Sequence, residues 1–516
     1  MNYSPRGLAV WDTWYMVAPD PKKRKKPEDI VHVYHLQRRR PRSRASDFVN
    51  DSLGHATSTD LVNWRQQPPA FGPDPDNPFD NWQPWTGCAL WREGQAYLYY
   101  TMRGDAEPGE QRIGLATSPD GFRWERYAQN PVIQPDPQWY ATSRKPTPGT
   151  VDCRDLVVVP NPAGGWLGFY ATRQPGEELP ETSAIACVAS DDLIHWQHRP
   201  PAFANGKYAC VEVPDVFEMD GKWYMTCLTG EWYGNRGLFT DPWAIAGTMY
   251  AVSDRPEGPY EELDDNCYVV GGLDAPISCR TVSLNGRRYV LYTDREREGR
   301  TNAGGTFFGT ITTPKEVQTS GDHLVVAYSD LIEKRVTGEM IGPKKPPKLH
   351  LVESWGQIWR GAPASRWEWG DSIVGESRTA WGVAQIDATA DNFIFEAEVE
   401  LLSGRGAGLA FRMDDGRAGA VVAYDAEDRC LYLYGPDVVS LGTYTPRRQV
   451  ARNVGRQFTL KVVARGEHIE GYVNDQFLLT TVWYGPPSGR LGLYVDCGRA
   501  AFSDVRARGL KVDVPK

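Results

Sequence analysis

Residues 210–227, CVEVPDVFEMDGKWYMTC, contain an acid, an apolar run, a Met-Asp-Gly-Lys turn and a second strand. Glu212 begins the apolar run and lies between Val211 and Val213. A carboxyl group in such poorly solvated surroundings favours its neutral form, so the sequence predicts a raised pKa for Glu212. A group of this kind can donate a proton near neutral pH. An edge strand that carries a glutamate by chance explains this single stretch equally well.

The same pattern occurs five times in the first 300 residues, and this repetition decides the fold. Each copy starts at a polar position, continues as an apolar strand, turns and ends in an aromatic-rich strand. The starting positions are Asp12, Thr86, Asp155, Glu212 and Ser278. A second repeat, a strand followed by a Ser/Asp turn and an aromatic residue, ends at Trp64, Trp124, Trp196 and Tyr260. Units of four short strands without intervening amphipathic helices are typical of propeller blades, so the sequence predicts an all-β chain with a five-bladed β-propeller.

Composition narrows the class of protein. The chain has 516 residues and is long enough for two domains, and its net charge of -9 argues against a nucleic-acid partner. It has neither an apolar N-terminal segment nor a run of membrane-spanning length, which favours a soluble protein of the cytoplasm, with no membrane partner. The nine cysteines lack metal-ligand spacing, so we expect reduced thiols, no metal and no cofactor.

The second half of the chain has a different character. The propeller is predicted for residues 1–341 and is followed by a proline-rich linker, GPKKPPK, at 342–348. Beyond the linker, NFIFEAEVELL at 392–402 alternates apolar residues with glutamates, as a strand with one wet face does. This pattern continues to the end of the chain and predicts a β-sandwich over residues 349–513.

Three acids are candidates for chemistry because of where they fall in the repeat. The innermost strand of each blade lines the central channel, so the starts of these strands meet at one mouth. Asp12, Asp155 and Glu212 begin the innermost strands of the first, third and fourth units. Carboxylates gathered in one funnel repel each other, a cost that function usually justifies. The structural alternative is that strand-end amides or Arg154 satisfy them.

The residues around these acids resemble the motifs of glycoside hydrolase family 32, a family of five-bladed glycosidases that also carry a sandwich domain. The similar motifs are Trp11-Asp12, Arg154-Asp155 and Glu-Val-Pro-Asp at 212–215, with further likeness at YHLQ (34–37) and GHATSTDLVNW (54–64). The first motif departs from the family most: Trp11 replaces an Asn, and Thr13-Trp14 stands where Pro-Asn-Gly is usual. Leu156 and Val213 replace a Pro and a Cys.

The resemblance implies a retaining exo-glycosidase that hydrolyses furanosides, most simply β-fructofuranosides, and that could also transfer the sugar to another acceptor. Asp12 would be the nucleophile and Glu212 the acid/base, roughly 5 Å apart. Asp155 would stay ionised beside Arg154 and accept hydrogen bonds from the sugar. The implied substrate-binding residues are Trp11, Trp14, Gln37, Trp85, Thr86, Arg154 and Trp232.

Other readings remain open at this point. The altered first motif keeps an arabinofuranosidase close to the favoured function. An inverting five-bladed glycosidase would use Asp12 as the base for a water molecule, with the carboxyls further apart. A carbohydrate-binding propeller without turnover is the non-enzymatic alternative. In each case the partner is an oligosaccharide or a small glycoside. The loops that set the linkage carry no pattern, and the sequence does not indicate the oligomeric state.

Overall fold

The first four sequence units each fold into one antiparallel sheet of four strands in chain order. The computed structural model describes residues 3–5, 7–23, 28–39, 52–107, 109–142, 151–176, 182–208, 210–229, 247–264, 267–271, 277–302, 304, 306–342, 347–350, 365–378, 381–414, 419–434 and 450–512.

The first sheet contains Leu8–Pro19 (β1), Asp29–Arg39 (β2), Ser52–Ser58 (β3) and Arg65–Phe71 (β4). The second contains Trp85–Arg92 (β5), Gln95–Met102 (β6), Arg112–Ser118 (β7) and Glu125–Arg126 (β8). The third contains Arg154–Pro160 (β9), Trp166–Arg173 (β10), Ser183–Ser190 (β11) and Gln197–Phe203 (β12). The fourth contains Glu212–Met219 (β13), Lys222–Thr229 (β14), Gly247–Ser253 (β15) and Tyr268–Gly271 (β16).

The fifth blade is built from Ile277–Leu284 (β17), Arg287–Arg297 (β18), Thr306–Ile311 (β19), Lys315–Ser320 (β20) and His323–Ala327 (β21). Short 3-10 turns occupy Glu298–Arg300 and Asp330–Arg335. The inner strands contact one another in a closed ring, from β1 through β5, β9 and β13 to β17 and back to β1. Tyr3 also pairs with Ile311, which joins the start of the chain to the last blade. The predicted five-bladed propeller is confirmed.

Local sequence explains the repeating hairpins. Asp220-Gly221 joins β13 to β14 and Asn285-Gly286 joins β17 to β18, and both residues of each turn have positive φ. Two-residue turns of this kind suit the right-handed twist of a hairpin and favour Asn, Asp and Gly. The second sequence repeat forms a turn after the third strand, as at Asp60, whose Oδ1 accepts hydrogen bonds from the backbone of Val62 and Asn63.

The remaining strands form a sandwich of two sheets. One sheet orders Ser365–Trp369 (β24), Ile373–Ser377 (β25), Arg499–Leu510 (β35), Phe393–Ser403 (β27), Gln457–Arg465 (β31), His468–Val473 (β32) and Gln476–Val482 (β33). The other orders Leu349–His350 (β23), Trp381–Ala390 (β26), Gly489–Asp496 (β34), Gly406–Met413 (β28), Ala420–Asp425 (β29) and Cys430–Tyr434 (β30). Apolar side chains from both sheets fill the space between them, which confirms the predicted sandwich.

The two domains meet through shared strands. Ala327 at the end of β21 pairs with Gln476 of β33, so one sheet runs from the fifth blade into the sandwich. Val336–Ile341 (β22) pairs with β35, so this strand belongs to the sandwich sheet. It precedes the domain boundary expected after residue 341. Within the described ranges, no helix has the length and apolarity that crossing a membrane requires.

Candidate active site

All five inner strands are irregular at the same end, and this end carries the acids. The pairing register shifts between Trp11 and Thr13 in β1, between Arg154 and Val157 in β9, and between Glu212 and Asp215 in β13. Equivalent shifts occur at the starts of β5 and β17. A β-bulge turns a side chain away from its normal face, so the bulges direct residues at the strand starts toward the common mouth of the channel.

Backbone conformation at the bulges is unusual for residues other than glycine. Asp12 has φ 36°, Asp155 has φ 64° and Val213, which follows Glu212, has φ 49°. Such positions persist where surrounding contacts hold them, and they cluster at functional sites. A residue with positive φ therefore stands at, or directly after, each of the three acids predicted from the repeat.

Asp12 is tied to the second blade. Thr86, near the start of β5, donates a hydrogen bond from its hydroxyl to Asp12 Oδ2. The bond crosses from the second blade to the first, so it sets the rotation of the Asp12 carboxylate relative to the channel. After burial and the charge of Glu212, the charge of Asp12 also contributes to the raised pKa of Asp155.

Arg154 connects the third and fourth blades. One terminal nitrogen, Nη2, lies 3.1 Å from Glu212 Oε2, and Nε lies 3.5 Å from Asp155 Oδ2. The other, Nη1, donates to Asp152 Oδ1 at 2.9 Å. Arg154 is buried, with 8% of its surface exposed, so these contacts are poorly screened by water. The guanidinium group thus binds three of the acids at the channel mouth.

Asp155 is the most enclosed of the three predicted acids. Its carboxylate accepts a hydrogen bond from the Val213 backbone at 3.1 Å, its own backbone N–H donates to Thr101, and its carbonyl accepts from Arg280 at 3.0 Å. Burial raises the pKa of Asp155 from 3.8 to about 8; Arg154 opposes the shift, while Glu212 and Asp12 add to it. The sequence predicted an ionised Asp155, whereas the raised pKa favours its protonated form in the substrate-free pocket, because burial outweighs the charge of Arg154.

The surroundings of Glu212 also differ from the prediction. The sequence predicted an apolar environment, but Arg154 contacts Glu212 Oε2 through both Nε and Nη2, at 3.3 and 3.1 Å. The side chain of Glu212 keeps 16% of its surface exposed, compared with 3% for Asp155. Glu212 is therefore the acid of this pair that solvent, and hence a substrate, can reach more readily.

Trp85 lies next to Thr86 at the mouth and is half-buried, as expected for a substrate-binding residue. Its indole N–H donates to Gln83, and the guanidinium of Arg103 stacks on its ring at 4.0 Å and on the ring of Trp82 at 4.2 Å. This Trp82–Arg103–Trp85 stack forms a flat wall beside the acids. Sequence reasoning missed Arg103, although its place at the end of the strand after the Trp85 hairpin puts it at the same mouth.

Trp14 does not contact the mouth. It is 1% exposed and packs in the core between the first two blades, against the ring of Tyr34. The prediction that Trp14 binds sugar was wrong, because the bulge at Asp12 breaks the two-residue alternation that would have placed both side chains on one face.

The other predicted binding residues have mixed placements. Trp11 is buried in the same core as Trp14, and Gln37 is buried and donates to Ser52 at 2.9 Å. Their contact with a sugar stays a prediction. Trp232 lies outside the described residues.

Two more groups belong to the site that the sequence did not single out. Asp152 accepts from both Arg154 and Arg173, so it anchors the guanidinium from behind. Thr101 accepts from the Asp155 backbone and thereby holds the bulge in β9. The position of Asp152, two residues before Arg154 on the approach to an inner strand, was the available signal.

This arrangement supplies the parts of an acid–base site. A carboxylate held by Thr86, a second carboxyl beside Arg154, and a third that retains a proton near neutral pH meet at one pocket. Enzymes that cleave glycosidic bonds commonly use two carboxyl groups, one as nucleophile or base and one as acid. The pocket fits that chemistry.

Parts of this chain are similar in sequence to curated proteins. A fructan 1-exohydrolase of Hordeum vulgare is 30% identical over 172 residues, 32% of this chain and 26% of the relative. A sucrose-6-phosphate hydrolase of Zymomonas mobilis is 24% identical over 290 residues, 53% of this chain and 52% of the relative. The stretches matched in these curated relatives thus span between a quarter and about half of the relatives' length.

The fold of the whole chain is also found in solved structures. A GH32 β-fructofuranosidase of Bombyx mori superimposes with a TM-score of 0.66 and 16% identity, over 100% of this chain and 94% of the other. At this identity the likeness concerns the fold, a propeller followed by a sandwich.

The family match is the decisive comparison. Residues 20–328 match the model described as glycosyl hydrolases family 32 N-terminal domain. The match covers more than half of the chain and includes Asp155 and Glu212, but it begins after Asp12, where the first motif is altered. With the site geometry and the propeller in agreement, the chain belongs to glycosyl hydrolase family 32.

Proposed function

We propose that this protein hydrolyses β-fructofuranosides as a retaining, exo-acting glycosidase. The observation that carries the proposal is the meeting of Asp12, Asp155 and Glu212 from three different blades around Arg154 and Thr86. The names of the curated relatives, fructan 1-exohydrolase and sucrose-6-phosphate hydrolase, support fructosyl compounds as the substrate class.

In the first step, Asp12 attacks the anomeric carbon. A bond forms between that carbon and a carboxylate oxygen of Asp12 as the bond to the leaving oxygen breaks, and Glu212 gives its proton to the leaving oxygen. Thr86 donates to Asp12 Oδ2, which orients the carboxylate for this attack. Positioning of the reacting atoms accounts for much of the acceleration in such steps.

In the second step, water replaces the enzyme on the anomeric carbon. Glu212, now a carboxylate beside Arg154, takes a proton from the water, and the ester to Asp12 is broken from the face that the leaving group vacated. The sugar leaves with its original configuration and both acids return to their starting states. Another sugar hydroxyl in place of water would give transfer instead of hydrolysis.

Asp155 acts on the sugar without transferring the reacting proton. Because its pKa is about 8, it holds a proton at pH 7 and offers the sugar hydroxyls a donor as well as an acceptor. Hydrogen bonds that strengthen as positive charge develops on the ring favour the transition state over the ground state.

A substrate panel tests the proposal. Sucrose, 1-kestose, an aryl arabinofuranoside and aryl pyranosides are incubated with the protein and with Asp12→Asn, and released sugars are separated by chromatography. The proposal predicts fructose from the first two substrates and none with the variant. Release of arabinose alone would replace the fructofuranosidase with an arabinofuranosidase, and no release from any substrate by folded protein would favour carbohydrate binding without turnover.

A further inference from the structure

Three side chains with metal-ligating atoms meet far from the acids, at the outer edge of the propeller. Asp264, Cys267 and His323 each offer one ligand atom, and these atoms lie within 4.8 Å of one another. Cys267 immediately precedes β16, the outermost strand of the fourth blade, and His323 begins β21, the outermost strand of the fifth. The active site lies instead at the starts of the innermost strands.

The carboxylate of Asp264 lies between the other two groups. Its Oδ1 is 3.6 Å from Cys267 Sγ, and its Oδ2 is 3.6 Å from His323 Nε2. A thiolate, an imidazole and a carboxylate are the ligands that zinc uses in proteins. The sulfur ligand argues against magnesium or calcium, which prefer oxygen.

The imidazole is already oriented for this role. Tyr250, which is fully buried, forms a hydrogen bond of 2.9 Å between its hydroxyl and His323 Nδ1. The other ring nitrogen, Nε2, therefore faces Asp264. Histidines that bind metals usually have the second nitrogen held by a hydrogen bond in this way, because it fixes the ring and its tautomer.

The cluster has an enclosed side and an open side. Cys267 is fully buried, whereas the Asp264 side chain is 43% exposed, so an ion can enter past the carboxylate. A three-residue zinc site usually takes a water molecule as its fourth ligand, and the exposed side of Asp264 gives water access to the cluster.

The positive charge of Arg452 opposes the binding of a cation to this cluster. Its Nη1 lies 3.6 Å from Asp264 Oδ2, so it competes with a cation for that oxygen. Arg452 comes from the sandwich, whereas the three ligating residues come from the propeller. An ion bound to the cluster would join the outer strands of two blades next to the sandwich.

We propose that Asp264, Cys267 and His323 bind a thiophilic divalent cation of the zinc class, which links the fourth blade to the fifth. The sequence predicted no metal site, and spacing within one segment cannot reveal a ligand that comes from the next blade. Asp264 and Cys267 are three residues apart, but His323 comes 56 residues later.

Cobalt(II) is the probe, because a cobalt–thiolate bond has a charge-transfer absorption in the near ultraviolet. The full chain, stripped with a chelator, is titrated with cobalt(II) and then with zinc. We expect one equivalent of cobalt to produce the band, zinc to abolish it, and zinc to raise the unfolding temperature. Cys267→Ser should lose the band and the thermal shift, whereas Cys497→Ser, which removes the exposed thiol, should keep both.

Two further variants keep the test decisive if Cys267→Ser fails to fold. Asp264→Asn alters the exposed ligand and His323→Gln the imidazole, and each should weaken cobalt binding at least tenfold. A band that survives in Cys267→Ser, or no stoichiometric binding to the parent chain, would overturn the proposal. Catalytic activity is a separate readout, so failure here leaves the proposed hydrolysis intact.

Discussion

The buried charged side chains at the domain interface and those at the active site have differently balanced charges. At the interface between the domains, Glu470 of the sandwich accepts hydrogen bonds from Lys315 of the fifth blade and from Arg465. Burial alone would raise the pKa of Glu470, but Arg465 and Lys315 outweigh it and hold the pKa below its usual value. At the active site, Asp155 has neighbouring acids as well as Arg154, and its pKa rises.

The difference separates a structural cluster from a functional one. At the interface, each charge has a partner of opposite sign from the other domain or the same sheet, so the cluster stabilises one packing arrangement. At the channel mouth, Asp155 is buried beside Glu212 and Asp12, and its raised pKa favours the protonated form. A standing electrostatic cost of this kind is expected where a proton must move during catalysis.

The largest effect should follow from Glu212→Gln. Loss of the general acid should slow cleavage of substrates with poor leaving groups by about 10²–10⁴-fold, because the leaving oxygen must then depart without a proton. An activated aryl fructofuranoside should lose much less, since its leaving group needs no proton. Initial rates on sucrose and on the aryl substrate make the comparison, and equal losses on both would remove Glu212 from the acid/base role.

A substitution in the cluster at the domain interface should change the stability of the protein and not its chemistry. Glu470→Gln removes the carboxylate between two buried cations, Lys315 and Arg465, and should cost about 3–5 kcal/mol of unfolding free energy. Denaturant unfolding measures this loss. Glu376→Gln, which breaks an exposed pair with Arg378 in the same domain, is the matched control and should change little. Similar values for the two variants would show that the interface cluster is not stabilising.

Asp155→Asn should lower the catalytic constant by about 10²-fold or more, because one preorganised contact to the transition state is worth about 3 kcal/mol. Asp80→Asn is the control, since Asp80 is also fully buried but pairs with Arg126 and Tyr100 instead of Arg154. Steady-state kinetics on sucrose should separate the two variants. Normal turnover in Asp155→Asn would place Asp155 outside the site.

The stability of Asp155→Asn should also depend on pH differently from that of the parent chain. Asp155 has a pKa of about 8 in the folded chain, above its usual 3.8, so its contribution to stability is fully present below about pH 4 and is lost as the pH rises through 8. Asp155→Asn lacks this loss, so its unfolding temperature should gain on the parent by a few degrees between about pH 5 and pH 8. A difference that is constant with pH would contradict the raised pKa.

Much of the fold was predictable from the sequence because each blade repeats its own local signals. The Asp-Gly and Asn-Gly turns, the Ser/Asp turns and the aromatic strands recur in register, and each is determined by nearby residues. The meeting of Asp12, Asp155 and Glu212 followed from the same register, since each begins an inner strand.

What the sequence did not reveal depends on packing between distant segments. The burial of Asp155, which raises its pKa, arises from neighbouring blades, so the sequence did not predict it. Trp14 was misplaced because a bulge interrupts strand alternation, and a bulge has no sequence signature here. Arg103 and the Asp264–Cys267–His323 cluster combine residues from different strands or blades, which no local spacing reports.

The central claim is that Asp12 attacks the anomeric carbon while Glu212 serves as acid and then as base. Sucrose labelled with carbon-13 at the anomeric carbon of its fructosyl unit, followed by NMR from the first seconds of hydrolysis, tests it most directly. Retention predicts β-fructofuranose as the first-formed sugar, before it equilibrates with its other ring forms. If α-fructofuranose forms first, Asp12 activates a water molecule instead, and the account of a covalent intermediate is wrong.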